Sequence, residues 1–382
     1  MPDGFWPPQR PPIPVARPLL PRAEALLPYL QEMDAARCYS NFGPLSRRLE
    51  RRLAEQYGIA AGSVVTVANA TLGLTLALQA QRPRPGSLCL MPAWTFAASA
   101  HAAVLVGLRP HFLDVGEDGA LTPGAVERAL ASLPPGRVGA VMAVAPFGRP
   151  LEAAAWDALA ARTGLPMVLD AAAGFDGLVP GRVPAVVSLH ATKILGAGEG
   201  GFVVSSDPAV LREVERRSNF GFAGGRNARV TAMNAKMSEY AAAVALAGLD
   251  AWPDTRARLA GAAAAYRRAL RGVPGAALQE GFGTRWLSAT AVVSLRGAPP
   301  LDALEEALAA EGIATRRWWP RGLHEEEAFS GFGHEALPVT ARLSATTLGL
   351  PFFTDMNLAE VERVGTALRR ALGAHAPFAL SA

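Results

Sequence analysis

Residues 188–201, SLHATKILGAGEGG, hold Lys193 at their centre, and the rest of the chain is interpreted around them. Of the 37 basic residues only two are lysines, Lys193 and Lys236, and the other 35 are arginines. Arginine serves as well as lysine for surface charge, but its guanidinium stays protonated and cannot act as an amine nucleophile. A lysine retained in such a chain indicates amine chemistry, although codon bias and chance could also leave one. The established use of a buried amine is Schiff-base formation with a carbonyl, above all that of pyridoxal phosphate (PLP).

Both flanks of this stretch predict β-strands. Short apolar, β-branched runs precede it (VPAVVSL, 183–189) and follow it (GFVVSSD, 201–207), so Lys193 lies on a loop displayed by a rigid scaffold. Three glycines of the loop match the dinucleotide-binding spacing GxGxxG, at positions 196, 198 and 201. That motif needs a helix after it, whereas a strand is predicted here. The glycines therefore serve to bring the backbone close to a bound cofactor.

From Tyr39 onward, apolar strands alternate with amphipathic helices. We predict strands near Val64, Leu88, His111, Val138, Met167 and Val186, and helices near Ser46, Leu72, Ala97, Glu127, Ala154 and Leu211. Such alternation is typical of a mostly parallel sheet covered by helices on both faces. After two further helical stretches, strand-like TAVVSL and helix-like LDALEEALAAEG predict a smaller α+β domain.

Length and composition indicate a soluble globular protein of two domains. Half of the 382 residues are hydrophobic, 18% are charged, and no apolar run approaches the roughly 18 residues of a membrane span. We divide the chain into a proline-rich, extended N-terminal arm (1–38), a large cofactor-binding domain (39–251) and a small C-terminal domain (252–382). The first 28 residues lack the layout of a signal peptide, and we expect a cytoplasmic protein.

Charge and cysteine patterns disfavour nucleic-acid and metal binding. The net charge is only +4, and arginines alternate with glutamates in RRLERR and REVERR, as on solvated helix faces. A nucleic-acid-binding protein would need a clustered basic stripe with aromatic residues. Cys38 and Cys89 lie far apart and are expected to be reduced thiols, and the six histidines show no metal-binding spacing.

Several segments, in their order and spacing, resemble the DegT/StrS-type aminotransferases, which are PLP enzymes that mostly aminate nucleotide-linked keto sugars. Besides the lysine loop they are NFGPLSRRLE, VANATLGLTLAL, PAWTFAAS, LDAAAGFDG, NFGF, NAKMSEYAAA and GIATRRWWPRGLH. Together they cover residues 39–375. The resemblance implies a fold-type-I aminotransferase, a homodimer, an amino acid donor such as glutamate and a keto-sugar acceptor.

Asp170 is the expected partner of the cofactor's ring nitrogen. That nitrogen works as an electron sink only when it is protonated, so a carboxylate must hold its proton. Asp170 ends the apolar strand LPMVLD, where ligands gather in open α/β sheets, and precedes Lys193 by 23 residues. The alternative is an aspartate that caps a turn.

The resemblance places the cofactor's phosphate at the start of the helix TLGLTLALQA, since helix N-termini bind anions. The amide of Ala70 and the side chain of Thr71 form the cradle, and Ser188 adds a hydroxyl. Ala70 stands where the family usually has glycine, and it can offer its amide if its φ stays negative. An ordinary N-cap is the alternative role for Thr71.

Four further positions follow from the resemblance. Phe96 stacks on the cofactor ring, although it or Trp94 could be a core residue. Ala173 replaces the glutamine or histidine that contacts the ring hydroxyl in the family. Asn234 matches an asparagine that reaches the partner subunit's cofactor phosphate, with a helix N-cap as its alternative. His324 resembles a small-domain histidine at the sugar site, with a structural role as its alternative.

The sequence therefore predicts an aminotransferase with a two-stage cycle, in which Lys193 carries the proton as general base and acid. Two alternatives stay open. Some relatives have histidine in place of the lysine and dehydrate sugars, which Lys193 disfavours. A cofactor-binding regulator or non-catalytic partner subunit on the same scaffold would suit Ala173.

Overall fold

The computed structural model describes residues 11–273 and 275–373. Within these ranges the strands are β1 (Val64–Val67), β2 (Leu88–Pro92), β3 (Arg109–Leu113), β4 (Val138–Val144), β5 (Met167–Asp170), β6 (Ala185–Ser188), β7 (Gly201–Val204), β8 (Ala276–Leu278), β9 (Ala291–Leu295), β10 (Gly333–His334) and β11 (Thr347–Leu350). The helices are α1 (Ala23–Ala36), α2 (Pro44–Gln56), α3 (Ala70–Ala80), α4 (Ala97–Leu105), α5 (Pro123–Ser132), α6 (Ala153–Thr163), α7 (Pro208–Ser218), α8 (Glu239–Asp250), α9 (Trp252–Ala269), α10 (Leu301–Ala310), α11 (Pro338–Thr346) and α12 (Leu358–Gly373). Every strand and helix predicted by position is confirmed.

The larger sheet has eight described strands in the order β1-β7-β6-β5-β4-β2-β3-β10. β7 runs antiparallel to both of its neighbours, and the other pairs are parallel. The expected α/β fold with a mostly parallel sheet is confirmed. The parallel strands therefore end at one edge of the sheet, which is where ligands bind in such folds.

Helices cover both faces of this sheet, which explains why its strands read as unbroken apolar runs. Neighbouring residues point to opposite sides, so that Val186 packs in one core cluster and Val187 in the other. All four residues of β5 are buried, including the terminal Asp170. A charged residue at a buried strand end needs partners, and they are described with the site below.

A second, antiparallel sheet in the order β11-β9-β8 packs with α9, α10 and α12. β9 and α10 correspond to TAVVSL and LDALEEALAAEG. Residues 323–337 leave this unit, because Leu323 and Phe329 pack in the core of the large sheet and β10 pairs with β3. The domain boundaries stay a prediction, and residues 374–382 of the expected small domain lie outside the described part.

The N-terminal arm is extended only as far as residue 22. Ile13 bridges to Ile313 of the smaller unit, and the amide of Phe352 donates to the carbonyl oxygen of Val15 at 3.1 Å. Further along, the side chain of Leu20 lies against Gly196 of the lysine loop. The arm thus touches both units, and its residues 1–10 lie outside the described part.

The expectation of an extended arm is wrong from Ala23 onward, where α1 begins. Pro28 lies inside this helix although proline removes a helical hydrogen bond. Packing against α8 buries Met33, and the Tyr29 hydroxyl donates to the Asp250 carboxylate at 2.6 Å. This tertiary packing outweighs the proline, and a local sequence pattern does not reveal it.

Among the described helices, none is long and apolar enough to cross a membrane.

Candidate active site

The loop that carries Lys193 joins the antiparallel strands β6 and β7 as a closed turn. The Leu189 amide donates to Gly200 O at 2.9 Å, and the Ala191 amide donates to Gly198 O at 2.8 Å. A strand follows the glycines directly, so the dinucleotide-binding alternative is wrong. The loop holds Lys193 at the carboxyl edge of the sheet, between two anchored strands.

Lys193 and Asp170 influence each other's protonation, so the structure brings these two predicted residues together. Burial raises the pKa of the Asp170 carboxyl, and hydrogen bonds and the charge of Lys193 oppose that rise. Burial lowers the pKa of the Lys193 amine, which the charge of Asp170 opposes. A buried carboxylate beside a desolvated amine is the arrangement expected of a reactive lysine site.

The partners of Asp170 show that it is more than a turn cap. Its Oδ1 accepts the Ala172 amide at 3.1 Å, and its Oδ2 accepts the Ser99 hydroxyl at 2.6 Å. The first of these is a local turn bond, whereas Ser99 belongs to the distant helix α4. We did not single out Ser99 from the sequence, although it lies in the quoted segment PAWTFAAS.

A cradle for an anion lies at the start of α3, beside the lysine loop. Ala70 is the first residue of this helix, so its φ is negative as the prediction required, and its amide faces the helix N-terminus. A Cβ on Gly201 would lie 2.9 Å from Ala70 N, and Gly201 pairs with Ser188. The structure thus brings Ala70 and Ser188 to one place.

The N-cap alternative for Thr71 is wrong. Asn69 caps α3, because its Oδ1 accepts the Leu72 amide at 2.9 Å. Thr71 lies in the first turn of the helix, next to Ala70. Its hydroxyl is therefore not needed as the cap.

Phe96 and Trp94 have different environments. The Phe96 side chain is 64% exposed at the N-cap position of α4, whereas Trp94 is 3% exposed. Trp94 packs edge-on against Phe147 and Trp319, and its Nε1 donates to Trp319 O at 3.2 Å. Trp94 is thus a core residue, and Phe96 presents its ring to the outside.

Ala173 lies in the turn that follows β5, three residues after Asp170. Its carbonyl oxygen lies against Gly148, where a Cβ would come within 2.4 Å of that oxygen. Gly148 has a φ of 95° and so suits only glycine. A methyl group at position 173 offers no hydrogen bond to a ligand.

The N-cap alternative for Asn234 is wrong as well. α8 is capped by Ser238, whose hydroxyl accepts the Ala241 amide at 3.1 Å. Asn234 is exposed, bridges to Asn219, and accepts the Lys236 ammonium at 2.7 Å. Asn234 lies four residues before this cap, and its side chain is exposed.

Three exposed aromatic rings lie on segments that adjoin Asn234 or the start of α8. The Lys236 ammonium lies 4.6 Å from the centre of the Phe220 ring, and the rings of Tyr39 and Tyr240 stack with their centres 6.2 Å apart. Phe220, Tyr39 and Tyr240 are all exposed. Lys236 therefore packs on the exposed Phe220 ring.

His324 lies on the segment that returns to the large sheet. The Leu323 amide donates to Ala93 O at 2.8 Å, which fixes the turn Leu323–Glu325 beside the end of β2. The His324 Nδ1 is buried and has no hydrogen-bond partner among the described residues. Burial lowers the pKa of His324, so its ring is neutral near neutral pH.

The fold is that of PLP-dependent aminotransferases. A protein of Bacillus cereus ATCC 10987 that is assigned as a PLP-dependent aminotransferase matches with a TM-score of 0.87 and 28% identity, over 94% of this chain and 99% of that chain. DesI, crystallised in the presence of its TDP-sugar product, matches with a TM-score of 0.85 and 34% identity, over 95% and 93%. The expected fold-type-I architecture is confirmed.

The chain belongs to the DegT/DnrJ/EryC1/StrS aminotransferase family, whose profile matches residues 22–369. It is 30% identical over 341 residues to the UDP-N-acetyl-3-dehydro-alpha-D-glucosamine 3-aminotransferase of Acidithiobacillus ferrooxidans, covering 86% of this chain and 89% of that protein. It is 35% identical over 257 residues to Protein Rv3402c of Mycobacterium tuberculosis. This match covers 63% of the chain and spans 61% of the length of that relative.

Proposed function

We propose that the protein is a PLP-dependent aminotransferase that moves an amino group from an amino acid, with glutamate as the expected donor, to a nucleotide-linked keto sugar. The observation that carries this proposal is the juxtaposition of the buried Asp170 carboxylate with the Lys193 amine. The sugar substrate is supported by the relative named for a UDP-linked 3-dehydro sugar and by the TDP-sugar product of DesI.

The residues present fit PLP. Asp170 offers a buried carboxylate for the ring nitrogen, and the amide of Ala70, the hydroxyl of Ser188 and the side chain of Thr71 offer donors for the phosphate. Phe96 offers an exposed ring for stacking. When bound, PLP supplies an aldehyde that captures amines and a ring that accepts electrons from the substrate carbon.

Lys193 moves the proton in this proposal. Burial lowers the pKa of its amine, which increases the neutral fraction that can attack a carbonyl or accept a proton. In the first half of the cycle the Lys193 Nζ would accept the proton from the substrate carbon and donate it to the cofactor carbon, and in the second half it would move a proton in the opposite direction. The hydrogen bonds that Asp170 accepts oppose the rise that burial causes in its pKa and so favour the charged form, which can hold a proton at the ring nitrogen.

A homodimer is part of the proposal, with Asn234 reaching the phosphate in the partner subunit. The exposed position of Asn234 supports it, as do the exposed rings of Phe220, Tyr39 and Tyr240. Exposed apolar patches of this kind mark interaction surfaces.

His324 is proposed to line the sugar site, supported by its place beside the end of β2. The cytoplasmic location stays a prediction.

A cofactor-binding regulator or partner subunit is the second candidate, because Ala173 cannot contact the ring hydroxyl. A half-reaction separates the two without knowledge of the sugar. The PLP-loaded protein is mixed with glutamate alone, and released 2-oxoglutarate is counted per chain. The aminotransferase releases one equivalent and stops until an acceptor is added. A protein that binds PLP but releases no oxo acid from glutamate or any other amino donor is the regulator.

A further inference from the structure

The first turn of α4 brings a pair of buried hydroxyls to the Asp170 carboxylate. Ser99 is 0% exposed, and its Oγ lies 2.6 Å from Asp170 Oδ2. Thr95 is also buried, and its Oγ1 lies 3.0 Å from Ser99 Oγ. The three side chains form a continuous row from the N-terminus of α4 to the end of β5.

The direction of these hydrogen bonds follows from counting protons. When Asp170 is ionised it can only accept, so the single hydroxyl proton of Ser99 goes to Asp170. Ser99 Oγ then has only lone pairs left for its other neighbour, and the Thr95 hydroxyl must donate to it. The row therefore runs Thr95 to Ser99 to Asp170, and its donors favour the ionised carboxylate.

We propose, on the basis of the aminotransferase function above, that Ser99 and Thr95 are positioning residues that hold Asp170 ionised and aimed at the cofactor's ring nitrogen. Hydrogen bonds to charged groups are about twice as strong as neutral ones, and burial strengthens them further. The Thr95–Ser99 row donates to one oxygen of the Asp170 carboxylate, and the Ala172 amide donates to the other oxygen.

The same turn also carries Phe96, between the two hydroxyl residues. Its ring is exposed while Thr95 and Ser99 are buried, so the turn presents an aromatic face outward and two hydroxyls inward. The N-terminus of α4 thus mounts both the stacking ring and the support of Asp170. A shift of this turn would move both contacts together.

The groups that act on Asp170 come from three elements: Ser99 from α4, the Ala172 amide from the turn after β5, and the Lys193 charge from the lysine loop. Each opposes the rise that burial causes in the pKa of Asp170. Removing the Ser99 hydroxyl therefore raises this pKa further. A hydrogen bond to a charged group is worth about one to two pKa units.

The test compares Ser99→Ala with Ser46→Ala. Ser46 donates its hydroxyl to a different buried carboxylate, that of Glu239 at the start of α8, and so serves as the matched control. PLP affinity is measured from low to neutral pH. The acid limb of this curve is the pH range over which PLP affinity falls as the pH is lowered. We expect the midpoint of the acid limb to rise by about one to two pH units in Ser99→Ala and to stay unchanged in Ser46→Ala.

Thr95→Val is the second variant, for the case in which Ser99→Ala does not fold. It removes the outer donor and should move the acid limb in the same direction by a smaller amount. In an Asp170→Asn background neither substitution should move the limb, because no carboxylate is left to titrate. An unmoved limb in both single variants overturns the proposal, and so does a shift that persists with Asp170→Asn.

A readout without cofactor keeps this inference separate from the proposed function. The folded-state pKa of Asp170 is raised, so the stability of the cofactor-free protein should fall as pH rises from the ordinary pKa of an aspartate up to the raised one. In Ser99→Ala this fall should extend to higher pH, as followed by thermal unfolding. If the parent binds no PLP, the function fails while this profile still decides the role of Ser99. If the pH dependence of thermal stability is the same in Ser99→Ala as in the parent, Ser99 does not act on the Asp170 carboxyl.

Discussion

Replacing Gly201 by alanine would disturb the proposed phosphate cradle through the main chain. A Cβ at this position would lie 2.9 Å from Ala70 N and 2.9 Å from Val187 O, both of which are backbone atoms. Gly201 also pairs with Val67 on one side and with Ser188 on the other, so neither neighbour can swing away like a side chain. The amide at the start of α3 must move instead.

Two magnitudes follow from this crowding. Overpacking costs about 1–3 kcal/mol, and losing the flexibility of glycine returns roughly 0.5–1 kcal/mol, so the free energy of unfolding should fall by about 0.5–2 kcal/mol. A hydrogen bond to a charged group contributes about 1.5–3 kcal/mol, so a displaced Ala70 amide should weaken PLP binding about 10- to 100-fold.

Urea unfolding of the cofactor-free protein and a fluorescence titration with PLP measure the two effects. Gly261→Ala in α9 is the matched control, because among the described residues no heavy atom beyond its chain neighbours and the adjacent helix backbone lies within 4 Å of its added Cβ. That substitution should raise stability by up to about 1 kcal/mol and leave PLP affinity unchanged. A folded Gly201→Ala protein with the parent's affinity would refute the cradle.

Further predictions concern the ring nitrogen and the subunit interface. Asp170→Asn should lower the single-turnover rate with glutamate by several orders of magnitude with only moderate loss of PLP, and a rate within a few-fold of the parent's would make the carboxylate structural. In the parent PLP binding should weaken on dilution, because a ligand held by both subunits favours the dimer. Asn234→Ala should weaken PLP binding and reduce this dependence on protein concentration. Ser238→Ala removes the cap of α8 and should cost about 1 kcal/mol of stability without changing PLP affinity. Equal affinities for both variants at two protein concentrations would exclude the cross-subunit role.

Periodicity and strand-end chemistry were sufficient for much of this fold. Buried parallel strands must be apolar throughout, so the runs ending at Asp170 and Ser188 were recognisable, and the residue after a strand is where ligands gather. The rarity of lysine indicated Lys193. These inferences depend on local pattern or on chemistry that few residues can perform.

The remaining features depend on contacts between distant segments. Ser99 becomes significant only because α4 packs beside the end of β5, and α1 forms in spite of Pro28 because α8 covers it. The two residues of β10 are too few to show a period. The cap of α8 is different, since Ser238 directly precedes the helical run and was a stronger local signal than Asn234.

The attachment point of PLP tests the assignment of Lys193 most directly, because the chain has only one other lysine. The protein is loaded with PLP, reduced with borohydride, digested and analysed by mass spectrometry, together with Lys193→Ala and the matched control Lys236→Arg. We predict one reduced cofactor per chain on the peptide that contains Lys193. The visible absorbance band should be retained in Lys236→Arg and lost in Lys193→Ala, which should stay folded. Attachment at Lys236, or a retained band and transamination in Lys193→Ala, would contradict the assignment.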